Sequence, residues 1–451
     1  MNVLIVESPS KAKSINKYLG SDFKVLASVG HVRDLSAKTD AIDTENDFQM
    51  KWETSDRGKK VIKEITDAAK KSENLYLATD PDREGEAIAW HVEKLLRDDA
   101  SLSKLNIHRV TFNEITKNAV LDSLKEPRGI DENLVNAYLA RRALDFLVGF
   151  TLSPVLWRKL PGSKSAGRVQ SVALKIISER ELEIEKFVPQ EYWSLQGEFI
   201  NKEQQVINSR LTVYNGKKID KLDITNENQA TNIYNDIKNS TFIVGNITKK
   251  EARRNPYPAF TTSTMQIESS RKLGLSASQT MRTAQRLYEG TDIKGETTGL
   301  ITYMRTDSVI MSNDAINQVR SFVTHNYGEN YLPDTPRVYK SKAKNAQEAH
   351  ECIRPTNINL TPRDIKQYIT LEEFKLYEII WQRAVSSQMA SAVLDQVAVD
   401  ITNEDKQIVL RANGSTIKFP GMYKVYQEAK DDDKDEEKET ILPVMNEGGI
   451  L

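Results

Sequence analysis

Two unbroken apolar runs, Val3-Leu4-Ile5-Val6 and Leu75-Tyr76-Leu77-Ala78, organise the first quarter of the chain. Short runs without polar alternation predict strands buried on both faces of a parallel sheet. Each stops beside an acid, Glu7 in the first case and Asp80 in the second. Ser8 and Pro9 then supply a helix cap and a first-turn proline ahead of Lys11-Ala12-Lys13-Ser14-Ile15. The second run leads to a helix over Glu86–Leu96, whose apolar positions are Ala87, Ile88, Trp90, Leu95 and Leu96. A helix around Lys59–Lys71 and a strand near Arg109–Phe112 continue the alternation, while residues 36–58 are polar and loop-rich. An α/β domain over residues 1–125 is expected.

The period then changes. From Asp131 to Phe187 the pattern is helical, with Asn136–Phe150 carrying apolar residues at helical spacing. Residues 190–250 alternate, as in Trp193-Ser194-Leu195 and Arg210-Leu211-Thr212-Val213-Tyr214, and predict β-strands. Asn255-Pro256-Tyr257-Pro258 marks a boundary, because two prolines do not continue a central strand. Helices over Thr261–Leu273 and Ser276–Tyr288, separated by Gly274, lead to an apolar strand at Leu300-Ile301-Thr302-Tyr303-Met304. Helices over Ser312–Tyr327 and Glu372–Met389 precede strand-like sequence at 393–425. The domains expected are 1–125; 126–190, helical; 191–255 with 390–451, β-rich; and 256–389, helical.

Composition narrows the class. With 451 residues, 39% hydrophobic and 28% charged, the chain matches an ordinary globular protein of several domains. No apolar run is long enough to span a bilayer, and no signal peptide is visible. The single cysteine, Cys352, excludes an internal disulfide and a multi-thiolate zinc site, and fits a reducing cytoplasm. Net charge is −1, but residues 430–439 alone contribute −4, so the remainder carries +3. Between residues 141 and 175 seven basic side chains face one acid, Asp145. That patch contains Ser165-Ala166-Gly167-Arg168-Val169-Gln170-Ser171, small and basic residues at a predicted helix start, which suits a phosphate backbone.

The sharpest chemistry lies between the second strand and its helix. Asp80, Asp82 and Glu84 alternate there, at the edge of an α/β sheet where ligands bind. Glu7 falls on the same edge, with Lys11 one helical turn further and facing the same cleft. Crowded acids rise in pKa unless a cation neutralises them, and carboxylate oxygens are the hard ligands Mg²⁺ prefers. The spacing is not that of an EF-hand loop. The Gly30-His31 pair is placed beside this cleft.

A second motif is Gly299-Leu300-Ile301-Thr302-Tyr303-Met304-Arg305-Thr306-Asp307-Ser308. Two residues apart on a strand, Tyr303 and Arg305 share a face. A phenol attacking phosphorus is helped by cations that favour phenolate and neutralise phosphate charge. Tyrosine and arginine opposite a magnesium-binding acid cluster suggest covalent phosphoryl transfer.

The strand ends at Glu7 and Asp80 together resemble the Toprim domain of topoisomerases, primases and some nucleases. Glu7–Lys13, Asp80–His91, Ser165–Ser171, Thr261–Thr264, Gly299–Ser308 and Gln347–Pro355 resemble, in order, the motifs of type IA topoisomerases of the bacterial topoisomerase I branch. The opening Glu-Ser-Pro favours that branch over topoisomerase III, and no helicase segment precedes it as in reverse gyrase. The resemblance runs over essentially the whole chain and implies a multidomain α/β plus α and β toroid with an N-terminal Toprim domain.

By the same resemblance Tyr303 is the nucleophile that becomes joined to a DNA 5′ phosphate, and Arg305 stands beside the scissile phosphate. Glu7 and Lys11 belong to the cleavage site, with Lys11 a proton donor to the leaving 3′ oxygen. The Mg²⁺ ligands are Asp80, Asp82 and Glu84, joined by Glu7. His350 lies near the tyrosine. Arg141, Arg142, Asp145, Arg168, Gln170, Ser171, His31 and Arg83 bind the DNA. The implied activity is relaxation of negatively supercoiled DNA by a cytoplasmic, nucleoid-associated monomer acting on a single-stranded segment, without a membrane. No Walker A loop is present, so no nucleotide is required.

The family's body continues beyond the equivalent of Leu451, so the chain is expected to be truncated; cysteine-rich zinc ribbons are absent. A Toprim nuclease or primase would account for the acids but not for Gly299–Ser308. A fragment that binds or cuts single-stranded DNA without relaxing plasmid is the other alternative.

Overall fold

A computed structural model describes residues 1–340, 351–429 and 441–450. By contact the chain divides into two compact units. The first comprises Met1–Arg180, Pro258–Phe322 and Pro336–Ser387; the second comprises Glu181–Tyr257, Val323–Thr335 and Gln388–Leu451.

The first unit is built on a four-stranded parallel sheet. Its strands are β1 (Asn2–Val6), β2 (Phe23–Ala27), β3 (Asn74–Leu77) and β4 (Asn106–Arg109), in the order β2-β1-β3-β4. Val3, Ile5, Leu75 and Leu77 are fully buried on one face of the sheet, packed with Ile65 and Ala69 of helix Asp56–Ala69 and with Ala89, Val92 and Leu96 of helix Arg83–Arg97. Burying one such side chain contributes roughly 1.5–3 kcal/mol, which is why the two apolar runs fix the sheet. Chain order reverses between β1 and β3, so the cleft at their carboxyl ends is a topological switch point. Ala78 N donates to Ile5 O at 2.7 Å there.

The predicted helical stretch from Asp131 is two helices, Glu132–Lys159 and Arg168–Glu185, because Gly162 has φ +89° in the turn between them. Arg168–Glu185 buries none of its residues, and Val172, Leu174, Ile176 and Ile177 are each more than half exposed. Helices Thr262–Leu273 and Ala277–Glu289 start at reciprocal capping boxes on Thr261 and Ser276. The apolar run Leu300–Met304 is not a regular strand. It is bent backbone with one isolated bridge, Ile301 to Pro355, since a proline partner has no N–H for a ladder. Among the described residues no helix is long and apolar enough to cross a membrane.

The second unit is an antiparallel sheet. Its strands run in the order Lys217–Lys218, Val206–Tyr214, Val409–Phe419, Ala392–Asn403, Phe242–Arg254, with Gln196–Ile200 beside Val206–Tyr214. Alternate residues Ile207, Leu211, Val399, Ile401, Leu410 and Ala412 form its core. The expectation of strands throughout 190–250 is corrected at Glu227–Lys238, a helix capped by Asn226 that buries Ala230 and Ile233.

Candidate active site

The β1 end begins with Ser8, whose hydroxyl accepts from Lys11 N at 3.3 Å and caps the helix Pro9–Leu19. That start aims Lys11 back at the sheet edge. Its ammonium, 1% exposed, donates to Glu7 at 3.1 Å and to Asp80 Oδ1 at 2.5 Å. Asp80 N donates to Glu7 Oε1 at 3.0 Å, so the two strand ends are stitched together.

The β3 end is a tight turn. Asp82 caps the helix Arg83–Arg97, its Oδ1 accepting from Gly85 N at 2.8 Å. The helix therefore begins earlier than the expected Glu86, and Glu84 sits in its first turn. A Cβ at Gly85 would stand 2.2 Å from Asp80 O, which is why only glycine fits. Beneath the turn lies Arg109, fully buried, its guanidinium donating to the carbonyls of Leu77, Thr79, Asp80 and Val110 and to Glu86. Glu86, also fully buried, accepts from Arg128 and from Asp131 N as well. A buried charge survives only when paired and hydrogen-bonded, and this pair holds the acid turn rigid.

Tyr303 arrives from the far side of the sequence. Its backbone N donates to Asn113 O at 2.8 Å, and Gly299 N donates to Ile115 O at 3.1 Å. Thr262 Oγ1 donates to Met304 O at 2.7 Å, and Thr302 Oγ1 donates to Cys352 O at 2.7 Å. Held on both sides, Tyr303 is 3% exposed and its hydroxyl donates to Asp82 Oδ2 at 2.7 Å. Arg305 Nη1 stands 3.8 Å from the same oxygen. Glu7, Asp80, Asp82, Glu84, His31, Tyr303 and Arg305 all line one cavity of about 500 Å³. At its rim Val29 has φ +58°, a strained conformation for a β-branched residue, and Gly30 follows at +86°.

Electrostatics divide the acids. Burial, then the Asp80 charge, push Glu7 well up, so it keeps a proton that an ordinary carboxyl would have lost. Burial is the largest influence on Asp80 and opposes its ionisation, but the Lys11 charge and the hydrogen bonds with Glu7, Lys11 and Tyr288 together outweigh it and hold Asp80 low. Glu84 is held down at about 2 by His31, 3.8 Å away, and then by Arg141, which donates to its Oε1. Tyr303 departs from expectation. Burial first, then Asp80 and Asp82, push its pKa up, and Arg305 only partly opposes them. In this state burial, aided by the acids, holds the phenol protonated.

The other expected DNA-contacting residues are dispersed. Arg142 pairs with Asp34 at 2.6 Å, Arg168 with Asp145 at 2.5 Å, and Gln170 donates to Ser165 at 2.9 Å. Ser171 is exposed on helix Arg168–Glu185, and Arg83 opens its helix without lining the cavity. His350 lies outside the described residues. Arg282 and Gln285 line the cavity without having been expected there.

Family models match the chain at residues 2–115, described as Toprim domain, and at 129–451, described as DNA topoisomerase. The chain belongs to the type IA DNA topoisomerase family. It is 51% identical over 448 residues to DNA topoisomerase 1 of Rickettsia bellii, covering 99% of this chain and 56% of that protein. The enzyme of the same name from Zymomonas mobilis is 50% identical over 452 residues, and 36% of its length is covered. Full-length topoisomerase I from Thermotoga maritima superposes with a TM-score of 0.83 at 36% identity, over all of this chain and 70% of that one. The chain thus spans about half the length of relatives such as the Rickettsia protein.

The donor set suits Mg²⁺ in kind, being all carboxylate oxygen. Among the described residues no three acids close into a ready cage. Lys11 sits between Glu7 and Asp80, leaving Asp82 and Glu84 as the pair facing open cavity. Mg²⁺ commonly binds through one or two carboxylates and keeps several waters, so that pair fits it.

Proposed function

We propose that this chain cuts one DNA strand by transesterification onto Tyr303, and that the step serves Mg²⁺-dependent, ATP-independent relaxation of negatively supercoiled DNA in the whole protein. The observation that carries this is the Tyr303 hydroxyl bonded to Asp82, with Arg305 beside it, in a cavity of acids at the switch point of the sheet.

Tyr303 Oη attacks phosphorus; the new O–P bond forms as the bond to the 3′ oxygen breaks. Asp82 already accepts from the hydroxyl and takes its proton. Arg305, half exposed toward the cavity, pairs with the phosphate and lowers the cost of phenolate that the acids impose. The leaving 3′ oxygen takes a proton from Glu7, which keeps one and faces the cavity, while Lys11, buried behind and held charged by Asp80 and Glu7, stabilises the carboxylate that Glu7 then becomes. Mg²⁺, bound by Asp82 and Glu84 with water, would orient the phosphate and neutralise its charge. One phosphate ester replaces another, so resealing is the reverse reaction and needs no nucleotide. Arg141, Arg142, Asp145, Arg168, Gln170 and Ser171, with His31 and Arg83, would guide the single-stranded segment. The acting form is proposed to be a monomer in the cytoplasm. Trapping the chain on labelled single-stranded DNA with denaturant tests this: a covalent complex is expected, and its absence would reject it.

A further inference from the structure

Tyr288 has no part in the step above, yet it touches both of that step's centres. It is the next-to-last residue of helix Ala277–Glu289 and is fully buried. Its hydroxyl donates to Asp80 Oδ1 at 3.0 Å, the oxygen that also accepts from Lys11 at 2.5 Å. Its ring meets the Tyr303 ring edge-on, with centroids 5.2 Å apart at 66°, and Lys11 Nζ lies 5.1 Å from its centroid.

We propose that Tyr288 is a positioning residue for the cleavage step, its hydroxyl fixing the Asp80 carboxylate and its ring fixing the ring of Tyr303. The inference rests on Tyr303 being the nucleophile. A carboxylate turns in a broad, nearly two-fold torsional well, and two donors on one oxygen confine it. A phenol ring likewise needs a neighbour of defined geometry, which an edge-to-face aromatic partner supplies. One rigid side chain thus sets the spacing between nucleophile and acids, where about 1 Å of misplacement costs roughly a hundredfold in rate. A tyrosine present only to fill the core would need an acceptor of any kind; this one reaches the acid that also holds Lys11.

The test compares the chain with Y288F and Y288L in two measurements. In the first, ¹³Cζ-tyrosine NMR follows the Tyr303 signal, assigned by its loss in Y303F. In the second, denaturant traps the covalent complex on labelled single-stranded DNA, with affinity measured separately. Y288F should leave the Tyr303 signal in place and DNA affinity unchanged, and slow adduct formation about ten- to hundredfold, the size of a lost hydrogen bond to a charged group. Y288L should shift the Tyr303 signal and slow the adduct further, with Y288F restoring the signal. Cleavage by Y288F at the unaltered rate would overturn the role of the hydroxyl, and an unmoved Tyr303 signal in Y288L would overturn that of the ring. If the unsubstituted chain forms no adduct, the proposed function fails, while the NMR comparison still judges the ring contact.

Discussion

Asp82 accepts a hydrogen bond from the Tyr303 hydroxyl at 2.7 Å, joining residues 221 positions apart in the sequence. Asp82 also caps the helix Arg83–Arg97 through its other oxygen. One carboxylate therefore anchors the acid turn and holds the phenol, and the Tyr303 hydroxyl is placed by the turn proposed to receive the metal. The Tyr303 segment is tied as well to main-chain carbonyls at Asn113 and Ile115 just past β4.

Replacing Asp82 and Glu84 together with alanine should abolish Mg²⁺ binding by the chain, read by calorimetry, whereas Glu84→Ala alone should weaken it only in part, since water replaces a single ligand. Unchanged Mg²⁺ affinity in the double variant would count against the cavity as the metal site.

Arg354 is 8% exposed and donates to Glu351 at 2.7 Å and to Glu114 at 3.1 Å, clasping the Tyr303 segment to the sheet. Arg354→Met strands two acids and should cost about 3–5 kcal/mol in unfolding free energy. Glu114→Gln keeps a hydrogen-bond acceptor and should cost about 1 kcal/mol or less. Equal losses in urea unfolding would show that the clasp is not the main contribution.

Burial, then Arg33 and His31, hold the His91 pKa down at about 3, and Arg33 Nε donates to its Nδ1 at 2.5 Å. Below the ordinary value of 6.5 the unfolded chain takes a proton that the folded chain refuses. Stability from this residue is therefore complete above 6.5 and is lost as pH falls toward 3, with a limiting slope of about 1.4 kcal/mol per pH unit. Trp52 and Trp90 lie 4.5 and 4.8 Å from the His91 ring, so their fluorescence reports unfolding locally. His91→Gln should flatten the pH dependence between about 6 and 4; an unchanged slope would remove His91 as its source.

The apolar runs of β1 and β3 were legible because a buried parallel strand needs no alternation, and the acids following them had to share an edge. Ser8 and Pro9 were legible as a helix start for the same local reason. Tyr288 was legible only as one more apolar helix position; its acceptor lies 208 residues away, and no pattern along the chain reports that. Arg109 was hidden inside a predicted strand, and a guanidinium spanning four carbonyls exists only once the turn has formed. Residues Glu227–Lys238 have only two buried residues to mark a helix, so the surrounding alternation prevailed. Leu300–Met304 has strand composition, but its partners are a proline and irregular backbone.

Helix Arg168–Glu185 leaves Ile176 62% and Ile177 65% exposed, an apolar face open to water. Residues 1–451, which span 56% of the Rickettsia bellii relative, should cleave single-stranded DNA but not relax negatively supercoiled plasmid, because cutting needs only local geometry whereas strand passage needs a body that opens and recloses. A chimera continuing into the carboxyl segment of the Rickettsia bellii relative should relax plasmid with Mg²⁺ and no ATP. Processive relaxation by residues 1–451 at matched concentration would contradict this.

The central claim is that Tyr303 forms the bond to DNA. The direct measurement is mass spectrometry of the peptide carrying residue 303 after the chain is incubated with single-stranded DNA and stopped with denaturant. A nucleotide 5′ phosphate on Tyr303, absent in a Tyr303→Phe variant that still binds DNA, is the predicted result. An adduct that persists in Tyr303→Phe, or that maps to another residue, would contradict it.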